Sequence, residues 1–280
     1  MNDNENLEPS EKPVLRGSSV GIHENGVFIT GEHSTCPRYV LARIEGLIPD
    51  FSDAEANPVF YLGRYFETWF KATLTCEFIE EYQVTHEFDN IKVMGHADIV
   101  AGDLVYELKS VSSVNVEREL RLRNKFKPAN LVQLVFYMLF SGRDKGLLIY
   151  GDYTKLVKYP ELKTMTVAEV IALIEEKSEF KPKLYTFEVS IEGTKVLVDG
   201  EDSGLDTTMI LDYILEIGNA HASGDLPPAP VKLDIFNFYD SCQYCPFTDI
   251  CWEQKVHDKE MFFDSLKVLK ESVDNTIEGE

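Results

Sequence analysis

The apolar positions of the chain fall into runs with two periods, and the period of each run names the element it builds. Over residues 59–75, Leu62, Phe66, Trp69, Phe70 and Leu74 recur at helical spacing, and Gly63 and Glu67, four apart, share one face of the predicted helix. An earlier helix is predicted from Ser34-Thr35-Cys36-Pro37, where a hydroxyl cap and a first-turn proline lead into Arg38, Tyr39, Leu41 and Ile44 before Gly46 closes it. Period two takes over at Tyr82–Phe88, with Tyr82, Val84, His86 and Phe88 on one side of a strand and Gln83, Thr85 and Glu87 on the other. Weak alternation about Glu24-Asn25-Gly26 predicts a short hairpin over 18–30.

The run VMGHADIVAGDLVYELKS, residues 93–110, carries the most information. Gly102-Asp103 is a two-residue hairpin signal that pairs 101 with 104, 100 with 105, 99 with 106 and 98 with 107. Asp98 is thereby set opposite Glu107. Side chains alternate along a strand, so Glu107 and Lys109 share one face while Leu104, Tyr106 and Leu108 take the other.

Further along, residues 115–127 carry Arg118, Arg121, Arg123, Lys125 and Lys127 against two glutamates. Residues 130–141 predict an apolar helix with Gln133 and Tyr137 as its polar i, i+4 pair. Strands are predicted at 146–150, 156–159, 184–189 and 194–198, and helices at 166–177 and 205–221. The second of these helices ends at Gly224-Asp225-Leu226-Pro227-Pro228.

Composition sets the class. Of 280 residues 44% are apolar and 27% charged, as in a globular protein, and the pattern excludes fibrous repeats and wholesale disorder. No apolar run is long enough for a membrane span, and residues 1–12 lack a secretory core, so a soluble intracellular protein is expected. The net charge of −21 argues against a general affinity for nucleic acid, and each acidic tail, 1–12 and 270–280, contributes −3. Any polyanion must be met by a local basic patch and by cations in the site. Of five cysteines, Cys242, Cys245 and Cys251 form Cys-x₂-Cys-x₅-Cys, which reads as a metal or cluster site with Cys36 as the candidate fourth ligand. Spacing leaves zinc and an iron–sulfur cluster open. Cys76 has no partner in this scheme and reads as an ordinary buried thiol.

Opposed carboxylates on neighbouring strands repel unless a cation lies between them. Asp98 and Glu107 form such a pair, and all-oxygen ligands suit Mg²⁺ or Mn²⁺. Lys109 beside them can deprotonate or orient a water, or neutralise charge on a phosphate. The plain alternative is a solvated polar face of an exposed sheet. The basic segment 118–127 has the same two readings, a track for a phosphate backbone or the solvated face of a helix. No His-Glu-x-x-His, Gly-rich phosphate loop or Gly-x-Ser-x-Gly elbow is present, which removes support for zinc-protease, P-loop and serine-nucleophile chemistry.

Taken in order, Cys36-Pro37-Arg38, Gly63-x₃-Glu67, Gly95-x-x-Asp98, Glu107-Leu108-Lys109, Gln133-x₃-Tyr137, Leu226-Pro227-Pro228 and Cys242-x₂-Cys245-Pro246-x₄-Cys251 resemble the PD-(D/E)XK nucleases of the RecB class. More narrowly they are similar to the iron–sulfur branch that contains the CRISPR-associated RecB-like exonucleases and the nuclease domain of AddB. The motifs span about three quarters of the chain, and their order rather than any one of them carries the likeness. The resemblance implies an α/β restriction-endonuclease-like core, a central mixed sheet flanked by helices, with a C-terminal cysteine-cluster lobe. It divides the chain into an acidic tail (1–14), a nuclease domain (15–230, elaborated over 151–230), a cluster lobe (231–258) closed by Cys36, and an acidic tail or helix (259–280).

The activity implied is a metal-dependent DNA exonuclease acting on single-stranded ends in repair, recombination or CRISPR spacer acquisition, in the cytoplasm of a bacterial, archaeal or phage-infected cell. By the same likeness Asp98 and Glu107 bind Mg²⁺ or Mn²⁺ with Glu67 and the Leu108 carbonyl, Lys109 is the catalytic lysine, and Gln133 and Tyr137 hold substrate or position the site. Cys36, Cys242, Cys245 and Cys251 carry a [4Fe–4S] cluster, with Zn²⁺ as the alternative. Two departures stand out: Glu67 takes a place where many relatives have His, and the acidic surface implies weak, salt-sensitive DNA binding or a protein partner that presents the DNA. The rival expectation is a catalytically silent module that binds DNA ends or protein.

Overall fold

The computed structural model describes residues 14–16, 36–44, 47, 58–89, 91–123, 125–223, 225–226, 250–251 and 260–268. In chain order these give β1 (Val14–Arg16), α1 (Pro37–Ile44), α2 (Pro58–Thr73), β2 (Ile79–Glu87), β3 (Lys92–Ala101), β4 (Leu104–Val111), α3 (Val114–Arg123) and α4 (Pro128–Ser141). Then follow β5 (Lys145–Asp152), α5 (Thr154–Val157), α6 (Val167–Glu176), β6 (Lys183–Glu192), β7 (Lys195–Val198), β8 (Glu201–Asp206) and α7 (Thr207–Ser223), with a further helix over 260–268. All eight strands join one mixed sheet, and helices cover both faces. The architecture is the expected α/β arrangement.

The sheet grows outward from the predicted hairpin. Gly102, at a φ of +56° that glycine adopts without penalty, turns β3 into β4, and Ala101, Val100 and Ile99 pair with Leu104, Val105 and Tyr106. β5 runs parallel to β4 along its whole length, which requires a crossover, and α3 and α4 supply it. β6, β7 and β8 then extend the sheet as an antiparallel meander. β2 occupies one edge of β3 from Lys92 to Val100. β1 and β4 must therefore share the other edge, β1 at Lys92–Met94 and β4 at Ile99–Ala101. Between them, residues 95–98 of that edge have no strand partner among the described residues.

Alternation along each strand divides the core in two. On one face Val93, Val105 and Leu148 pack with Leu134, Tyr137 and Met138 of α4 and Ile210, Ile214 and Ile217 of α7. On the other, Ile99, Tyr106 and Leu108 pack with Leu62, Phe66 and Phe70 of α2 and Val170, Leu173 and Ile174 of α6. Two glycines of β5 set how closely the main helices approach. A Cβ at Gly146 would lie 2.8 Å from Met138 Sδ of α4, and one at Gly151 would lie 2.5 Å from the Phe66 ring of α2. Five residues apart on a strand, the two glycines face opposite sides, one for each helix.

Three expectations need correction. Residues 156–159, expected as a strand, begin inside helix α5: Asp152 Oδ1 accepts the Thr154 N–H at 2.8 Å, and Tyr153 and Leu156, three apart, are both buried. The helix expected over 205–221 starts at Thr207, because Leu205 and Asp206 end strand β8 and the Asp206 carboxylate accepts from the N–H and hydroxyl of Thr208. β8 itself (EDSGLD) has too few apolar residues for its alternation to show, although Asp199-Gly200, both at positive φ, is a hairpin signal that announces it. Cys76 is exposed rather than buried, since α2 stops at Thr73 and leaves it in the connection to β2. The hairpin expected over 18–30 and most of the lobe over 231–258 lie outside the described residues. No described helix is long and apolar enough to cross a membrane.

Candidate active site

The acidic side chains of the site are placed by the point at which β3 and β4 part. The two strands pair as far as Ile99 and Tyr106; beyond it β3 stays with β2 and β4 stays with β5. Asp98, the first residue past the split, turns its carboxylate into the gap, where Oδ2 accepts the Leu108 N–H at 2.7 Å. That bond replaces a ladder bond the separated strands no longer make. Glu107, across the gap, is 0% exposed. Its Oε1 forms an ion pair with Lys109 Nζ, and Oε2 has no hydrogen-bond partner. Burying a carboxylate oxygen without a partner is costly.

Burial pushes the Asp98 carboxyl up, against the Lys109 charge and the Leu108 N–H. Burial and then Asp98 raise Glu107 to about 8. On Lys109 burial opposes the charge, but Glu107 and Asp98 outweigh it and raise its pKa, so the side chain is an ammonium. Glu67, half-buried on α2, is raised to about 7 by burial and then by Asp98.

The donor set fits a hard divalent ion: the candidate donors are all oxygens, and the buried Glu107 keeps Oε2 without a partner in the protein. Among the described residues no three His, Cys, Asp or Glu side chains gather within ligating reach of one point. Asp98 and Glu107 are thus the side chains facing the gap, and Mg²⁺ commonly keeps several waters when bound by one or two carboxylates.

Gln133 and Tyr137 are both buried on α4, on the side of the sheet from which Glu107 and Lys109 project, and Gln133 Nε2 donates to Tyr137 Oη at 3.2 Å. The side chain of Leu108 lies in the α2-side core while its backbone lines the gap. In the basic segment, Arg118 and Lys125 are exposed, Arg121 is spent on Glu117 at 2.7 Å, Arg123 is the last residue of α3, and the Lys127 N–H bonds Tyr150 Oη. Cys36 and Cys251 come together in a small cluster with Tyr39, Ile250, Phe262 and Leu266. Cys242 and Cys245 lie outside the described residues.

Two residues at this site had no mark in the sequence. Tyr150 is the register partner of Lys109 on β5 and is 1% exposed. Its Oη accepts from the Lys127 N–H (3.1 Å) and from Asn130 Nδ2 (3.0 Å), which ties the start of α4 to the strand beside the lysine. Burial raises its pKa to about 12. Within Leu147-Leu148-Ile149-Tyr150 it reads as ordinary core, and register is the signal that finds it. Glu81 stands on β2 at a φ of +47°, in the rung that faces Asp98. In the acidic run Glu80-Glu81 it reads as solvated surface.

No family model matches the chain, and no curated protein matches it in sequence. Among solved structures it is similar to the crystal structure of SSO0001, at 16% identity over 88% of this chain and 89% of that one, with a TM-score of 0.47. It is also similar to an alkaline exonuclease (LHK-Exo) from Laribacter hongkongensis, at 12% identity, 66% and 75% coverage and a TM-score of 0.39. A phage-related exonuclease from Haemophilus somnus 129PT gives 13% identity, 76% and 93% coverage and a TM-score of 0.39.

Proposed function

We propose that the chain is a divalent-metal-dependent deoxyribonuclease that hydrolyses phosphodiester bonds in DNA, acting as an exonuclease on single-stranded ends. The observation that carries this reading is the ion pair of the fully buried Glu107 with the partly exposed Lys109, set beside Asp98 where two strands part. Asp98 and Glu107 would hold Mg²⁺ or Mn²⁺, with the Leu108 carbonyl and Glu67 as further oxygen donors. Such an ion supplies Lewis acidity to a phosphoryl oxygen and lowers the pKa of water.

The chain's own residues do the rest. The Leu108 N–H fixes the Asp98 carboxylate in one orientation, so no reorganisation is needed on binding. The Lys109 ammonium donates to a phosphate oxygen and offsets the charge that grows on it as the bond to the departing sugar oxygen breaks. Gln133 and Tyr137 position the strand from α4, and Arg118, Arg121, Arg123, Lys125 and Lys127 give a basic approach in an otherwise acidic chain. A single strand carries one charge per roughly 3.4 Å against roughly 1.7 Å for a duplex, which favours single-stranded ends for a protein of net charge −21. Cys36, Cys242, Cys245 and Cys251 would hold a [4Fe–4S] cluster as a structural staple. Analysis of iron and acid-labile sulfide separates that from zinc.

Asp98→Asn tests the reading. Wild type is expected to cut single-stranded DNA only with Mg²⁺ or Mn²⁺, and the variant to lose at least ~10²-fold in rate with its DNA affinity retained. Full activity in Asp98→Asn would overturn the assignment.

A further inference from the structure

Glu81 and Asp98 break the strand pattern at the same rung. In β2, Tyr82 packs into the α4-side core, while Glu80, two residues earlier, reaches across the other face to Lys71 of α2 at 3.0 Å. Residues two apart normally share a face, so the alternation switches at Glu81. In β3, Ala97 belongs to the α4-side core and Ile99 to the α2-side core, so it switches at Asp98. The register on either side, Glu80 with Ile99 and Tyr82 with Ala97, sets Glu81 directly opposite Asp98. Irregularities of this kind re-aim side chains beside functional sites.

The arrangement is unfavourable for the protein by itself. A glutamate at φ +47° is in a region that residues other than Gly, Asn and Asp seldom occupy. The strained residue places one carboxylate against another; among the described residues Glu81 has no ion pair or hydrogen bond, and its compensation is the longer-range charge of Lys71 and His96. On its far side Asp98 faces Glu107, whose Oε1 is paired with Lys109 and whose buried Oε2 has no hydrogen-bond partner. Asp98 thus stands between two carboxylates with unfilled acceptor capacity, with Glu67 of α2 in electrostatic reach of Asp98 and Glu81.

We infer that Glu81 is a further carboxylate of the site, binding the divalent cation from the β2 side of Asp98. The inference deepens the reading of this site as a cation centre and rests on it. Glu81 is an exposed side chain with three rotatable bonds, so it closes on a cation by rotation without any change of the sheet. The strain is then explained as the backbone conformation that keeps the carboxylate on this rung, where glycine would fit more easily but bring no ligand.

The full-length protein, with its cysteine site loaded, is titrated with Mn²⁺ by calorimetry and by electron paramagnetic resonance, comparing wild type, Glu81→Gln and Glu107→Gln. Wild type is expected to bind Mn²⁺, Glu107→Gln to lose most of that binding, and Glu81→Gln to weaken it roughly tenfold or more. Glu81→Gly adds a readout that needs no metal: it relieves the positive φ, so its melting temperature without divalent ions should rise while Mn²⁺ affinity falls. Binding by Glu81→Gln equal to wild type, with Glu107→Gln impaired, would overturn the inference and leave the site standing. Failure of wild type to bind Mn²⁺ would remove the cation centre and the inference together.

Discussion

Glu107 makes the sharpest statement at the scale of single residues, because a carboxyl at about 8 and an ordinary one near 4.5 bind protons differently. With Glu67 at about 7, the folded protein holds protons that the unfolded chain has released. The stabilising contribution of the two carboxyls is complete below about 4.5 and is lost as pH rises through 7 and 8. In chelator-treated protein, Glu107→Gln should therefore flatten the decline of unfolding free energy between pH 5 and pH 8. Denaturant titrations at several pH values measure this, and parallel curves for the two proteins would refute the environment assigned to Glu107. Asp98, Glu107 and Lys109 were legible in the sequence because one turn, Gly102-Asp103, fixes their register and faces. The fourth predicted rung, 98 with 107, is where pairing stops, and no local pattern announces a strand split. Glu81 and Tyr150 were illegible for a related reason: each owes its place to a partner on a neighbouring strand.

Among the elements, α2 and α4 matter most, since they carry Glu67, Gln133 and Tyr137 to opposite faces of the sheet. Their close seating rests on Gly151 and Gly146 of β5. In Gly151→Ala the new methyl would meet the Phe66 ring at 2.5 Å, and overpacking of this kind costs about 1–3 kcal/mol. Chemical denaturation is expected to show that loss, along with reduced nuclease activity as α2 shifts; unchanged stability would mean the helix is not seated where the structure puts it. Helices with a strong apolar period or a complete cap were readable, as in α6, where Thr166 and Glu169 form the reciprocal cap. The short α5 and the polar β8 were not, because their form is set by Asp152 and by the Asp199-Gly200 turn rather than by a run of apolar residues.

For the whole molecule, charge governs the encounter with substrate. A net −21 repels DNA, so under the proposed function binding draws on exposed cations such as Arg118 and Lys125, whereas Arg121 is engaged by Glu117. Each phosphate contact to a single strand contributes roughly 0.7 to the slope of log affinity against log salt. Replacing Arg118 and Lys125 together by alanine should lower that slope by about 1.4, measured by fluorescence anisotropy with a labelled oligonucleotide. An unchanged slope would place the DNA path elsewhere. The mixed sheet was foreseeable from the alternation of the central strands, but its decisive property was not: β1 and β4 share one edge of β3 and leave a gap between them.

We propose that this gap is a cation-dependent centre for phosphodiester hydrolysis with Lys109 as its charged donor. The most direct measurement is cleavage of single-stranded DNA labelled at its 5′ end in one sample and its 3′ end in another, at low salt with Mn²⁺, wild type beside Lys109→Ala. Wild type is expected to shorten the strand from an end only with metal, and the variant to lose at least ~10²-fold in rate with its melting temperature retained. Cleavage by Lys109→Ala at the wild-type rate, or no cleavage by metal-loaded wild type, would contradict the proposal.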